Sequence, residues 1–325
     1  MLNQKALENI RIKNFSEVLK VMRRLGVCSL SQITEQLSVG LTTVKKCVEE
    51  GVRCGMILSG DTADSTGGRR AQQFLINPAY QYYLVVITDD NRFLIQLYDF
   101  NRECIMETQN HFDMAQYYQC LCSEIQSFVG QYAVGTVCVS LPCVIKNGRI
   151  MDWYYNRSME GFDIQSDLEH RFGVHVVVQN DMKLTVLGAA TRLDENLGFN
   201  LVTAQFGHNG VGVGEMVNGH VLEGASGFAG EVGHTQDVRK NIMGIAYPAK
   251  IVRNIIIYLN PDQIIFYRSG RQNRFSEIFR QAVRELPATA IPEYAVSDEY
   301  YADIRAGLFR RVDQYGYFKR GAIEK

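Results

Sequence analysis

Between Leu41 and Glu50 the chain reads LTTVKKCVEE. Leu41, Val44 and Val48 recur at helical spacing and predict one apolar stripe, which turns Thr42, Thr43, Lys45 and Lys46 outward. Hydroxyls and ammonium groups on the exposed N-terminal half of a helix can reach base edges and phosphates in the DNA major groove. Farther on, Arg69 and Arg70 close the run TGGRR. Guanidinium groups on a loop there can contact phosphates or enter a minor groove. A basic helix alone can equally be the solvated face of a three-helix packing unit, so its neighbours decide.

Those neighbours form an ordered set. Phe15, Val18, Leu19, Met22 and Leu25 predict a helix over residues 15–25, with Gly26 as its stop and Lys20, Arg23 and Arg24 near its C-terminal end. Ser29-Leu30-Ser31-Gln32 predicts a capping box that opens a short second helix bearing Ile33 and Leu37. Ser38-Val39-Gly40 reads as a tight turn in which Gly40 suits a positive φ. Two short helices joined by such a turn follow the helix-turn-helix plan. After Gly51, two β-type runs around a polar loop read as a hairpin wing with Arg69 and Arg70 at its base or tip.

Composition agrees with a basic module on an acidic body. The 325-residue chain has a net charge of −1, yet residues 1–80 carry eleven Lys or Arg against seven Asp or Glu. That excess of basic charge supports DNA binding by the first part. No apolar run is long enough for a membrane span, and MLNQKALENIRIKNF lacks the apolar core of a secretory signal. A cytoplasmic location follows as the expectation. The eight cysteines (Cys28, Cys47, Cys54, Cys104, Cys120, Cys122, Cys138 and Cys143) are scattered, often within apolar segments, and read as reduced, buried thiols.

Beyond residue 80 the pattern is α/β. Residues 82–90, 93–100 and about 103–109 alternate as three strands, an antiparallel meander, followed by a helix over about 114–132. Strands are predicted at 135–144, 174–179, near 200–206, at 211–217 and at 262–267. Helices are predicted near 249–259 and at 273–285 and 298–312.

Several segments carry a resemblance to the ROK family of repressors, sugar kinases and uncharacterised reading frames. SLSQITEQLSVGLTTVKKCVEEGVRCGMI and TGGRRAQQFLINP are similar to the DNA-binding head of its xylose- and N-acetylglucosamine-responsive repressors. In the body the resemblance runs through VGTVCVSLPCVIKNGRI, VVVQND, GVGVGEMVNGHVLEGASGFAGEVGH and YLNPDQIIF, with GFAGEVGH (227–234) the most specific match. It implies a winged helix-turn-helix over residues 1–80. An actin-like (RNase H-like) sugar-kinase-type body over 81–325 would follow, with lobes of about 81–195 and 196–325. The family pattern also implies sugar contacts from Asn156, Asn180, Asp181, Glu231 and His234, Asp181 standing where the kinases keep their general base. Such amides, carboxylates and imidazole can grip sugar hydroxyls directionally. Asp181 can equally serve as the cap of the helix that begins near Met182.

The chain departs from that pattern where phosphate and metal would be held. The first phosphate turn, Asp-x-Gly-Gly-Thr in the family, is Ile87-Thr88-Asp89-Asp90-Asn91 here, with carboxylates in both glycine positions. Glycines let backbone N–H groups approach phosphate, whereas two carboxylates repel it. The second turn, Gly-Thr-Gly in the family, is His208-Asn209-Gly210. No cysteine follows Cys143, so the thiolates of the family's zinc loop are missing and His234 has no metal role to share. The usual helical insertion after His234 is also shortened, and Pro142-Cys143 replaces the family's Pro-Gly.

These residues predict a regulator, not an enzyme, with Asp181 as a vestigial base position, no cofactor and no metal. Its partners would be a double-stranded DNA operator, a sugar or sugar-phosphate effector, and further copies of itself as a homodimer or higher homo-oligomer. Two other readings stand beside it: a DNA-binding protein whose body is only a dimerisation or partner scaffold, and a residual sugar kinase.

Overall fold

The computed structural model describes residues 4–60, 71–193, 198–207, 210–234, 244–268 and 273–315. Arg69 and Arg70 of the expected wing, and His208-Asn209, lie outside the described residues.

The head begins with α1 (Gln4–Leu25), longer than the predicted helix, whose Phe15, Val18, Leu19 and Met22 are buried. Gly26 ends it at φ +71°, a left-handed conformation open to glycine, and donates its N–H to the Met22 carbonyl at 2.8 Å. A short strand, β1 (Cys28–Ser29), leads into α2 (Leu30–Glu35). The capping box forms here. The Gln32 N–H donates to Ser29 Oγ at 3.4 Å, and the Ser29 N–H donates to Gln32 Oε1 at 2.9 Å.

Next comes α3 (Leu41–Arg53), whose buried face is Val44, Cys47, Val48 and Gly51. Two expectations are corrected here. Leu41 stands at the first helical position and is 52% exposed, so it is not part of the buried stripe. Gly40 is the N-cap with φ −70°, an ordinary conformation that uses none of glycine's freedom. The head closes with β2 (Ile57–Ser59) and β3 (Gln73–Ile76), which pair antiparallel. With β1 on the other side of β3, they make a three-stranded sheet packed on the helices.

The body contains two sheets with the same connectivity. In the first, β4 (Tyr82–Asp89), β5 (Arg92–Tyr98) and β6 (Cys104–His111) form the predicted antiparallel meander. Then α4 (Tyr117–Val129) leads to β7 (Val134–Leu141), which lies parallel to β4. A small hairpin follows, β8 (Val144–Lys146) with β9 (Arg149–Asp152), and then α5 (Ile164–Phe172). Its partner β10 (His175–Asn180) completes the sheet order β10-β7-β4-β5-β6. Without an intervening residue the chain enters α6 (Asp181–Leu193).

The second sheet repeats the plan. It comprises β11 (Leu201–Gly207), β12 (Gly210–Val217) and β13 (His220–Val221), then α7 (Ala246–Leu259), β14 (Gln263–Tyr267), α8 (Phe275–Val283) and β15 (Glu293–Ser297). Its order is β13-β12-β11-β14-β15, with β14 parallel to both neighbours.

Three apolar clusters follow from this layout. One lies between the first sheet and α4 and α5, and a second between the other sheet and α7 and α8. The third runs between the lobes, along α6 and α9 (Tyr300–Tyr315), and continues without a break into the head. Two glycines let α6 and α9 approach closely. A Cβ at Gly188 would run into the Asp303 carbonyl, and one at Gly307 into the Leu184 carbonyl. At the far end of α9, the buried Ser16 hydroxyl of α1 donates to the Asp313 carbonyl at 3.1 Å. Arg102 pairs with the Asp313 carboxylate at 2.5 Å, and Arg23 of α1 donates to the Phe100 carbonyl at 3.2 Å.

No helix among the described residues is long and apolar enough to cross a membrane.

Candidate functional site: an inter-lobe cleft and a basic helix

The cleft of about 380 Å³ between the lobes is lined by Asn180, Asp181 and Glu231 together with Asp89, Asp90, Arg92, Asp152, Tyr154, Tyr155, Tyr300 and Tyr301. Thus three of the five expected sugar contacts share one cavity. Asn156 is not in that lining. Its carboxamide donates to the Met114 carbonyl at 3.2 Å and accepts from Ser158 Oγ at 2.6 Å, so it fixes the loop that carries Tyr154 and Tyr155. The backbone of His234 ends a short 3₁₀ turn, Val232–His234, and its side chain lies outside the described residues.

Asn180 and Asp181 sit where β10 passes directly into α6, so both are fixed by backbone. Asn180 does the capping: its Oδ1 accepts the Lys183 N–H at 3.0 Å, while its Nδ2 donates to the Cys143 carbonyl at 3.0 Å. Asp181 points its other way, into the cleft floor. One carboxylate oxygen accepts the Met182 N–H and the other the Tyr300 hydroxyl, each at 2.8 Å. Burial raises its pKa to about 6, and the bonds from Tyr300 and Met182 limit the rise.

Glu231 follows a loop that only glycine can trace. Gly227 and Gly230 have φ of +85° and +84°, and side chains there would meet the carbonyls of Ile145 and Val213. Burial raises the Glu231 pKa to about 7, with a further push from Asp181 and an opposing pull from Lys183. The buried Lys183 ammonium donates to the Gly227 carbonyl and so holds this loop from behind. Its own pKa is lowered by burial, against the pull of Glu231 and Glu223. Near neutral pH the floor therefore mixes protonated and ionised carboxyls, which can donate to and accept from hydroxyl groups.

The opposite end carries carboxylates. Asp89 ends β4 where a glycine turn would cradle phosphate, and its carboxylate is clamped by Arg92 at 2.7 Å and by the Tyr301 hydroxyl at 2.5 Å. Arg92 also donates to the Tyr301 hydroxyl at 2.9 Å. Asp90 occupies the hairpin turn with φ +49°. At the rim, Arg268 pairs with Asp298 at 3.1 Å. Both cleft arginines therefore already face carboxylates.

Among the described residues, no group of three His, Cys, Asp or Glu side chains is placed to hold a metal ion. No cysteine follows Cys143, so the thiolates of the resembling family's zinc loop have no counterpart in this sequence. Cys143, at the cleft wall, is buried and its pKa is pushed well up by that burial and by nearby Asp181, Glu231 and Asp152. It stays a thiol.

On the head, Thr42, Lys45 and Lys46 are exposed and Thr43 is half-buried, all on α3. Lys45 makes a loose pair with Glu49 at 3.7 Å, both well exposed. Sequence reasoning missed Tyr300 and Tyr301, whose partners lie 119 and 212 residues away. It also missed Asp152, Tyr154 and Tyr155, which ride on the unpredicted β8–β9 hairpin and the loop after it. The only local signal was the aromatic cluster WYY at 153–155.

Two sheets of one connectivity facing each other across a ligand-sized cleft define a sugar-kinase-type body, here with a small helical module ahead of it. Residues 91–245 match the model of the ROK family. Among similar curated proteins is the xylose repressor of Bacillus subtilis (strain 168). It is 22% identical over 230 residues, which are 67% of this chain and 58% of that one. Another is the DNA-binding transcriptional dual regulator NagC of Escherichia coli (strain K12). It is 26% identical over 240 residues, 69% of this chain and 57% of that one. The matched stretch thus spans under two thirds of those relatives.

Among solved structures, a ROK family transcriptional regulator described as a homolog of the E. coli MLC protein aligns with a TM-score of 0.69 at 15% identity. That match covers 95% of this chain and all of that one. The ROK hexokinase of Thermus thermophilus aligns with a TM-score of 0.54 at 11% identity, over 71% of this chain and 99% of that one. Both likenesses concern the fold.

Proposed function

We propose that the chain is a DNA-binding transcriptional regulator of carbohydrate-related genes, acting as a repressor, with a sugar-type ligand in the inter-lobe cleft. Residues 1–80 form a winged helix-turn-helix and residues 81–325 the sensing body, with lobes meeting near residue 195. In the head, α3 enters the major groove. Thr42 and Thr43 face base edges, Lys45 and Lys46 face phosphates, and the exposed Leu41 meets a thymine methyl. Arg69 and Arg70 add backbone or minor-groove contacts from the wing. Two copies place two heads on a palindrome, and the protein works in the cytoplasm.

The observation that supports this most is the path of α9. Its first turn bonds Asp181 and Asp89 in the cleft, and its last turn receives Ser16 of α1 in the head. A ligand that changes lobe closure therefore moves the element on which the head rests. No sugar phosphorylation is expected, because Asp89 and Asp90 stand at the glycine positions of the family's first phosphate turn and Arg92 is held by Asp89.

Selection of DNA fragments bound by the chain, with and without a sugar library, tests the reading. It predicts a palindrome with half-sites about 34 Å apart or a multiple of that. Recovery of fragments without a common sequence contradicts it.

A further inference from the structure

The cleft does not end at its carboxylates. A second cavity of about 670 Å³ adjoins it, and Asp90, Arg92, Pro142 and Tyr155 stand in the walls of both. The two cavities thus lie side by side with four residues in common. Each lies within the roughly 300–1,000 Å³ typical of small-molecule sites. The second half is walled differently from the first, by Trp153, Met114 and His111 in place of Asp181 and Glu231. Trp153 is 1% exposed and is held edge-on by the Tyr117 ring at 4.7 Å, so it backs this half from the core and leaves the exposed aromatic surface to Tyr155. Tyr155, at the junction, is 45% exposed. Its ring meets that of Tyr154 edge-on at 5.1 Å, and an exposed aromatic ring in a cavity wall can carry a flat, partly apolar group.

The polar residues say what that group is not. Asp89 and Asp90 surround the junction, and the Arg92 guanidinium is spent on Asp89 and Tyr301. Among the described lining residues, a phosphoryl group there would face these carboxylates with Arg92 already held and Arg268 paired with Asp298.

We propose that the two cavities together take an unphosphorylated saccharide carrying a second ring. Its first ring meets Asp181 and Glu231, and its second lies on Tyr155 between Pro142 and Met114. The second ring is a sugar or an aryl aglycone, since both present an apolar face to an aromatic side chain. This rests on the reading of the cleft as the effector site, and it adds the size and charge of the effector.

Calorimetric titration of the full chain tests it. The probes are glucose, xylose and N-acetylglucosamine, their β-linked disaccharides, their phenyl β-glycosides, and the 6-phosphates of glucose and N-acetylglucosamine. At least one two-ring probe should bind ten times or more tighter than its own monosaccharide, and the phosphates should not bind. Tyr155→Ala should bring that ratio to within about twofold, while Tyr155→Phe, which keeps the ring, should preserve it. Unfolding midpoints of both ligand-free variants show that they fold.

Binding of a disaccharide but not a phenyl glycoside, or the reverse, supports the proposal and assigns the second ring. Equal affinity for one ring and two, preference for a phosphate, or no binding by any probe overturns it. Operator binding measured in parallel separates the two levels. If a monosaccharide alone alters operator affinity, the two-ring inference fails and the regulator stands. If no saccharide alters it, the effector reading fails.

Discussion

The hydroxyl of Tyr300 donates to the carboxylate of Asp181 at 2.8 Å, joining the first residue of α9 to the first residue of α6. With the bond from the Met182 N–H, it favours the ionised form of this buried carboxyl. Tyr300→Phe should cost about 1.5–3 kcal/mol where Asp181 is ionised, the range for a lost hydrogen bond to a charged group. The loss should be larger at pH 8 than at pH 5, because the bond favours the ionised form. Unfolding midpoints at the two pH values check this.

Asp181 and Glu231 also set a pH dependence of stability. Their folded pKa values, about 6 and about 7, exceed the ordinary 3.8 and 4.5, so the folded chain binds more protons than the unfolded one between those limits. Their contribution is full below about pH 4 and is lost as pH rises through 6 for Asp181 and 7 for Glu231. For Asp181 the loss is on the order of 3 kcal/mol. Asp181→Asn and Glu231→Gln should each flatten the fall in unfolding midpoint between pH 5 and 8.

The crossing of α6 and α9 makes a sharper prediction. Gly188→Ala or Gly307→Ala should lower stability by about 1–3 kcal/mol, since each methyl meets a backbone carbonyl that cannot move alone. Gly40→Ser should instead raise it by a few tenths of a kcal/mol. Gly40 already has the extended conformation of an N-cap, and nothing lies within 4 Å of a Cβ there. Denaturant midpoints compare the three variants.

Where the sequence was legible, the reason is local. Alternation in residues 82–109 predicted the meander, although β4 is buried on both faces and β6 is largely exposed, and Ser29 with Gln32 predicted a cap because both partners lie within one turn. Periodicity also put Leu41 on the buried stripe of α3, but spacing along a helix does not say where its covering neighbours end. The cleft was legible only in part. Asn180, Asp181 and Glu231 were found by pattern. The Asp89–Arg92–Tyr301 cluster depends on α9 returning to β4 across most of the chain, a contact that no local spacing encodes. The β8–β9 hairpin is too short for a period-two signal, so the aromatic half of the site was not foreseen.

Incubation with ATP and a panel of hexoses should give no phosphorylated sugar. Asp89 and Asp90 would have to be moved or neutralised before a polyphosphate could approach. Turnover that disappears in Asp181→Ala would overturn this.

The central claim is that α3 of the head binds DNA. It is tested most directly by titrating the selected DNA fragment with the chain and with Lys45→Ala plus Lys46→Ala, over a series of salt concentrations. The double variant should bind more weakly, and its slope of log affinity against log salt should be shallower by about 2, one for each lost phosphate contact. Unchanged affinity and slope would contradict the placement of α3 against DNA.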